Sequence, residues 1–260
     1  MLVSLLGATA PAHATPLMFS DGIEWPQSYQ RCAEAVTAPP VPGVAARPTA
    51  LLIHGGGFID RAELSTPTAP LRRLGYRLRV AKYPLGDVRG AYRAVTRQAG
   101  RLGRTGPVVA IGESAGGSIA TWLAGHRRVD AAVSVGAPQD FRAWGNPTWG
   151  TQVRLPTAAL RRRYSPIRTY SRKSGDAPLL AVHYRGDIFV PPNHTARLRN
   201  RGAHVLLLDG FGHTQPQWLH AGGLDFLRCH ARPSGSRLSM AGRSPLPGGA
   251  RLHMWPSRGA

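Results

Sequence analysis

Short apolar runs alternate with stretches of helical periodicity along most of the chain. Between the runs, apolar residues recur at spacings of three and four, as on one face of a helix. This alternation is typical of βαβ units and predicts an α/β fold with a mostly parallel central sheet and helices on both faces. The predicted buried strands are Ala50 to His54, Leu78 to Tyr83, Val108 to Gly112, Ala131 to Val135, Leu179 to Tyr184 and Val205 to Leu208.

Three helices can be bounded from the sequence. The first runs from Asp87 to Leu102, with Asp87 as the N-cap and Gly103 at its end. The second begins at Ser114 and runs to about His126, and the third covers Gln215 to Cys229. Residues 137–177 are too many for a simple crossover between two strands, so they predict an insertion.

The chain is strongly basic, with 33 Lys and Arg against 13 Asp and Glu, a net charge of +20. Such a charge favours a polyanionic partner. However, Lys82 and Lys173 are the only lysines, and a chain rich in Arg, Gly and Pro indicates a G/C-rich coding sequence. The sequence has no zinc-ligand array or aromatic-basic RNA-binding motif, so no specific nucleic-acid partner is predicted.

The two ends differ in composition from the rest of the chain. Residues 1–14 read MLVSLLGATAPAHA, which predicts a secretory signal cleaved after Ala14, although no Lys or Arg precedes the apolar part. The alternatives are a start further upstream or a disordered amino terminus. Residues 231–260 contain five arginines and no acid, and predict a disordered tail. The expected catalytic domain is 15–230, secreted or extracytoplasmic if the signal is real and cytoplasmic otherwise.

Two cysteines, Cys32 and Cys229, bracket the expected domain. In an exported protein such a pair commonly forms a disulfide, and two unrelated buried thiols are the alternative. Neither cysteine has metal-ligand spacing to another, so no metal site is predicted. No run of eighteen apolar residues occurs, so no transmembrane segment is predicted.

The strongest local motif is GESAGG at 112–117, directly after an apolar strand and directly before a helical segment. A serine on a strained turn between strand and helix projects its hydroxyl above the sheet. Gly112 and Gly116 allow neighbouring backbone to pass closely. The motif predicts Ser114 as a nucleophile, and an ordinary Gly/Ser turn is the alternative.

A second motif, HGGGF at 54–58, ends the first strong strand. A glycine-rich loop there can bend several N–H groups toward one point, as an oxyanion hole requires. A phosphate-binding loop is the alternative, but no G-K-[ST] follows.

With these two motifs, residues from Pro48 to Leu227 resemble the α/β-hydrolase esterases and lipases of the His-Gly-Gly-Gly type. The resemblance implies an α/β-hydrolase fold and oxyanion donors at the N–H groups of Gly56, Gly57 and Ala115, with His54 holding the loop. It also implies an acid and then a histidine after the serine, each on a loop beyond a late strand.

Both residues are present. Asp187 follows the strand that ends at Tyr184, and His213 follows the strand that ends at Leu208. Asp176 precedes its strand, which is the wrong end of a parallel sheet, and Asp209 is expected to shape the turn before His213. The histidines with structural interpretations are His126, which closes a helix, His183, within a strand, and His194, which opens a helix.

The predicted function is that of a serine carboxylester hydrolase, with Ser114, His213 and Asp187 as its triad and an acyl-serine intermediate. It needs no metal or organic cofactor, and its expected substrates are small-molecule or polymer-linked esters with short-to-medium acyl chains. One alternative is a hydrolase-like protein that holds polyanions through its basic surface. Another is an acyltransferase that uses the same triad. The aromatic residues of the insertion indicate either a lid over an acyl pocket or an anchored surface loop.

Overall fold

The computed structural model describes residues 47–230. Six strands form one sheet in the order β2-β1-β3-β4-β5-β6, and every neighbouring pair is parallel. All six predicted strands are therefore present, with small shifts at their ends. Their bounds are β1 Thr49–Ile53, β2 Arg77–Val80, β3 Val108–Glu113, β4 Ala131–Val135, β5 Leu179–Tyr184 and β6 His204–Leu208.

Helices cover both faces of the sheet, as the alternation predicts. Alternate residues of the strands belong to two separate apolar clusters, because successive side chains of a strand point to opposite faces. One cluster includes Leu51 and Ala110 with the long helices α2 and α3, and the other includes Leu52 and Ile111 with α1 and α9. The helix bounds are α1 Thr68–Arg73, α2 Val88–Gly103, α3 Ala115–Gly125, α4 Phe141–Trp144, α5 Pro147–Gln152, α6 Ala158–Tyr164, α7 Pro166–Thr169, α8 Asn193–Ala196 and α9 Gly223–His230.

The predicted bounds of α2 and α3 are correct to within one residue. The Asp87 carboxylate accepts a hydrogen bond from Gly90 N at 2.9 Å and so caps α2 as expected. The predicted insertion consists of the four short helices α4 to α7 and a 3-10 turn at Arg172–Ser174, between β4 and β5.

Two predictions about these elements are wrong. The strand β2 is not buried but half-buried or exposed throughout, because it pairs with β1 on one side and has no second neighbour among the described strands. The helix predicted from Gln215 to Cys229 is a 3-10 turn, Pro216–Leu219, followed by α9. Between them Gly222 has a φ of +97°, which a continuous helix does not allow.

Several predictions fall on parts of the chain that lie outside the described residues. These are the secretory signal at 1–14, Cys32 with its half of the predicted disulfide, and the tail at 231–260. Within 47–230, none of the helices is long and apolar enough to cross a membrane.

The topology places the two glycine motifs side by side. Strand β1 lies between β2 and β3, so the chain leaves β1 toward one edge and later returns to pair on its other side. The carboxyl ends of β1 and β3 therefore open a crevice at the point where the strand order reverses. HGGGF follows β1, and GESAGG spans the end of β3 and the start of α3.

Candidate active site

A cavity of about 330 Å³ lies at this carboxyl edge of the sheet. Its lining comes from the loops after β1, β3, β5 and β6 together with the insertion. Ser114, His213, Gly56 and Gly57 all line it. Four of the six predicted site residues therefore share one cavity.

Ser114 occupies the sharp turn between β3 and α3. Its φ of +51° is in the left-handed region that a serine rarely adopts, and its N–H donates to Val135 O at 2.8 Å. The side chain is half-buried, and its hydroxyl makes no hydrogen bond to any described residue, His213 included. In such a turn the hydroxyl is left available to a ligand in the cavity.

Gly112 and Gly116 let this turn pack closely. A Cβ on Gly116 would collide with the backbone carbonyls of Ile53 and His54, and one on Gly112 would collide with the carbonyl of Gly116. The turn is therefore held directly against the end of β1. This brings Ser114 next to the HGGGF segment at 54–58, the glycine loop. Gly55 is so near that its Cβ would lie 3.1 Å from the Ser114 Cβ.

We expect Gly116→Ala to lower the free energy of unfolding by about 1–3 kcal/mol, because the new methyl group has no room against the backbone of β1. Gly100→Ala in α2 is the matched control, since nothing lies within 4 Å of its added Cβ. That substitution should raise the free energy of unfolding by about 0.5–1 kcal/mol. Urea unfolding of the three proteins measures both effects, and equal stabilities would contradict the close packing.

The three predicted oxyanion donors have free N–H groups. Among the described residues, the N–H groups of Gly56, Gly57 and Ala115 donate to no acceptor. Gly56 and Gly57 have φ values of +97° and +62°, so glycine suits this bend of the loop. Ala115 is the first residue of α3, where the helix dipole adds positive potential. Such groups are suited to bind a developing oxyanion.

His54 has the loop-holding contacts that the sequence predicts. Its Nδ1 hydrogen-bonds to Gly55 O at 2.8 Å, and its ring stacks on Tyr83 at 4.3 Å between centroids. The Tyr83 hydroxyl donates to His54 O at 2.8 Å. Burial lowers the pKa of His54, which keeps the ring neutral beneath the glycine loop.

Asp187 and His213 are hydrogen-bonded to each other. The His213 Nδ1 lies 2.7 Å from the Asp187 Oδ2, with the ring 20% exposed and the carboxylate fully buried. The other carboxylate oxygen, Oδ1, accepts from Phe189 N at 2.9 Å and from Val190 N at 3.0 Å. Both oxygens are therefore fixed, and His213 is oriented with its Nε2 left for the cavity.

The structure also brings His183 to Asp187, a contact that sequence reasoning missed. The His183 Nε2 lies 3.1 Å from Asp187 Oδ2 and 2.7 Å from Val190 O. Both neighbours are acceptors, so Nε2 carries a hydrogen, while Nδ1 hydrogen-bonds to the Thr195 hydroxyl at 2.8 Å. His183 lies in β5 and Asp187 in the loop after it, so their spacing in the sequence does not indicate the contact.

These contacts set the charge of Asp187. Burial alone would raise its pKa, but hydrogen bonds from His183, His213 and Val190 N–H outweigh burial and hold the pKa well below its usual range. Since the folded-state pKa is lowered, the stabilisation from this carboxylate is present above its unfolded pKa and is lost only as the pH falls through the lower folded value. Asp187 is therefore a carboxylate at neutral pH.

The other candidate acids lie elsewhere. Asp176 is within 3.5 Å of Arg127, and Asp209 is within 3.0 Å of Arg185, so both form ion pairs away from the cavity lining. His194 is buried and accepts from Gln139 N and Asp140 N at 3.2 Å, a structural role. Within residues 47–230, no group of three or more His, Cys, Asp or Glu is arranged to hold a metal ion.

Two tryptophans of the insertion are fixed to the loops around the cavity. Trp144 Nε1 donates to Phe189 O at 3.1 Å, and Trp149 Nε1 donates to Gly57 O at 2.9 Å. The two rings contact each other edge to face at 4.8 Å. These hydrogen bonds connect the insertion both to the loop after β5, which carries Asp187, and to the glycine loop. Trp144 also contributes an apolar wall to the cavity.

No protein-family model and no curated protein matches this chain. Solved structures do match it. A truncated carbohydrate esterase from gut microbiota has a TM-score of 0.59 and 15% identity, over 73% of this chain and 88% of that one. A lipase/esterase from Lactobacillus plantarum has a TM-score of 0.53 and 16% identity, over 70% and 88%. An acetyl ester-xyloside bifunctional hydrolase from Caldicellulosiruptor lactoaceticus has a TM-score of 0.53 and 16% identity, over 72% and 88%.

At such low identities the likeness is one of fold. The chain has the α/β-hydrolase fold, with a mostly parallel six-stranded sheet covered by helices on both faces. The solved structures that resemble it include esterases.

Proposed function

We propose that this protein is a serine carboxylester hydrolase that acts through an acyl-serine intermediate. The observation that carries the proposal is the shared cavity of Ser114, on its strained turn, and His213, whose other ring nitrogen is hydrogen-bonded to the buried Asp187. In this arrangement Ser114 is the nucleophile, His213 is the base and Asp187 is the carboxylate that orients the base. Acyl transfer by a serine requires these three roles.

The reaction begins when the Ser114 Oγ attacks the ester carbonyl carbon and His213 Nε2 takes the hydroxyl proton. The imidazolium that forms keeps its Nδ1 hydrogen bond to Asp187, which stabilises the positive charge. The carbonyl oxygen gains negative charge and binds the free N–H groups of Gly56, Gly57 and Ala115. The bond from the former carbonyl carbon to the alcohol oxygen then breaks, His213 gives its proton to that oxygen, and the acyl group stays on Ser114.

Water completes the cycle. It attacks the acyl-serine with His213 again as the base, and the acid product and the free serine are released. Trp144, Phe189 and Val190 supply an apolar part of the cavity wall, which suits the hydrocarbon part of an acyl group. Because the cavity is only about 330 Å³, short-to-medium acyl chains are the expected substrates.

Covalent labelling of the purified full chain tests the nucleophile directly. We expect a fluorophosphonate to add to Ser114, as found by peptide mass spectrometry, and to abolish hydrolysis of p-nitrophenyl acetate and butyrate in proportion to the label. Ser174→Ala removes an exposed serine far from the cavity and should label as the unaltered protein does. Ester hydrolysis that continues in fully labelled protein would overturn the proposal.

Export is part of this proposal, on the signal pattern of residues 1–14 alone.

A further inference from the structure

One carboxylate in the cavity lining has no partner. Glu63 makes no hydrogen bond or ion pair with any described residue, although the chain has 33 Lys and Arg against 13 Asp and Glu. All nine other acids of residues 47–230 do have one. Asp87, Asp140 and Asp176, for example, each lie within 4.0 Å of an arginine side chain. In so basic a protein, an unpaired carboxylate at the candidate active site is exceptional.

The segment that carries Glu63 is held in place from both sides. Just after it, the buried Glu113 carboxylate accepts from Ser65 N at 2.8 Å and from Thr66 N at 2.7 Å. Just before it, Asp60 N donates to Gly56 O at 2.9 Å. Since Glu113 directly precedes Ser114, the segment is tied to the nucleophile turn itself. The backbone on either side of Glu63 is therefore held, and the exposed Glu63 side chain lines the cavity together with Ser114 and His213.

The cavity lining holds other polar groups besides Glu63 and no described Lys or Arg. Thr214 lines the cavity, and its hydroxyl lies 3.0 Å from the Ser65 hydroxyl. Arg61 lies two residues before Glu63, but its side chain is not within 4.0 Å of the carboxylate, and none of the described arginines or lysines lines the cavity. Trp144 and Phe189 make a different part of the lining apolar. The cavity thus has an apolar part for an acyl chain and a polar, negatively charged part.

We propose that Glu63 is a specificity-determining residue that selects esters of uncharged, hydroxyl-bearing alcohols and rejects anionic esters. This inference rests on the proposed function. Hydroxyl groups of the alcohol portion donate to the carboxylate in charge-assisted hydrogen bonds, whereas a carboxylate or phosphate there is repelled. A cationic alcohol is disfavoured because the net charge of +20 opposes its approach.

Four acetyl esters that differ only in the alcohol test the selection, with acetate release as the measurement. They are glycerol monoacetate, O-acetylglycolate, acetylcholine and, as a reference with neither charge nor donor, ethyl acetate. Relative to ethyl acetate, we expect Glu63→Gln to raise kcat/KM for O-acetylglycolate about fivefold and to lower it for glycerol monoacetate severalfold. Because Glu63 is solvent-exposed, about 0.5 M NaCl should reduce the effect on O-acetylglycolate.

Asp60→Asn is the matched control. Asp60 is an exposed carboxylate in the same segment that accepts from Arg61 N at 2.6 Å and does not line the cavity. Its substitution removes the same charge and should leave the ratios between the esters unchanged.

Equal ester ratios in Glu63→Gln and the unaltered protein would overturn the inference and leave the proposed function standing. A preference for acetylcholine over glycerol monoacetate that Glu63→Gln abolishes would replace hydroxyl selection with cation selection. If no ester shows Ser114-dependent hydrolysis, the proposed function fails and the inference fails with it.

Discussion

Ser114→Ala is expected to reduce kcat for p-nitrophenyl butyrate by on the order of 10⁴- to 10⁶-fold, with little change in stability. The rate falls because alanine has no hydroxyl in the cavity with which to form the acyl intermediate. The free energy of unfolding should be kept because the Ser114 hydroxyl makes no hydrogen bond to a described residue. In addition, the φ of +51° strains alanine no more than it strains serine. Steady-state rates and urea unfolding of the same preparation measure the two effects.

Ser114→Gly separates backbone strain from chemistry. Glycine adopts a φ of +51° readily, so this variant should be as inactive as Ser114→Ala but more stable than it. Residual activity in either variant above about 1% of the unaltered protein would show that another group is the nucleophile.

The fold was predictable because its signals are local. The six apolar runs of the strands and the spacing on α2 each depend on short stretches of sequence, and a parallel α/β sheet follows from their alternation. The common location of Ser114, Asp187 and His213 at one edge of the sheet was predictable for a related reason. Each lies on a loop just after a strand, and parallel strands bring such loops to one edge of the sheet.

The remaining features of the site depend on how the chain folds in three dimensions and have no local sequence signal. Glu113 occupies the variable position of the GESAGG motif, and nothing in its neighbourhood indicates that it binds the backbone of Ser65 and Thr66, nearly fifty residues earlier. Glu63 lies in a polar stretch without periodicity, so its place in the cavity was not predictable. His183 was correctly placed in a strand, but its contact with Asp187 depends on how the loop after β5 folds back.

Asp187→Asn is expected to lower kcat about 10⁴-fold while the protein stays folded. Phe189 N and Val190 N both donate to Oδ1, and the His183 N–H can donate to Val190 O alone. The asparagine amide will therefore place its oxygen at the position of Oδ1 and its NH₂ group at the position of Oδ2. That NH₂ group donates to His213 Nδ1, which moves the imidazole proton to Nε2. Since a protonated Nε2 cannot accept the Ser114 proton, the base is lost. Asp209→Asn is the control, because Asp209 is exposed and paired with Arg185, and its rate should stay within about twofold.

His183→Leu then distinguishes positioning from simple space filling. It removes a hydrogen bond to a charged group worth about 1.5–3 kcal/mol, so kcat/KM should fall by about 10- to 100-fold at neutral pH. With one donor fewer, burial raises the pKa of Asp187 toward its usual range, and an NMR titration of the Asp187 carboxyl carbon measures the rise. His183→Gln keeps an N–H near the position of Nε2 and should recover part of the rate. If the Asp187 carboxyl titrates at the same pH in His183→Leu as in the unaltered protein, His183 serves packing alone, and the low pKa of Asp187 depends on His213 and the backbone donors.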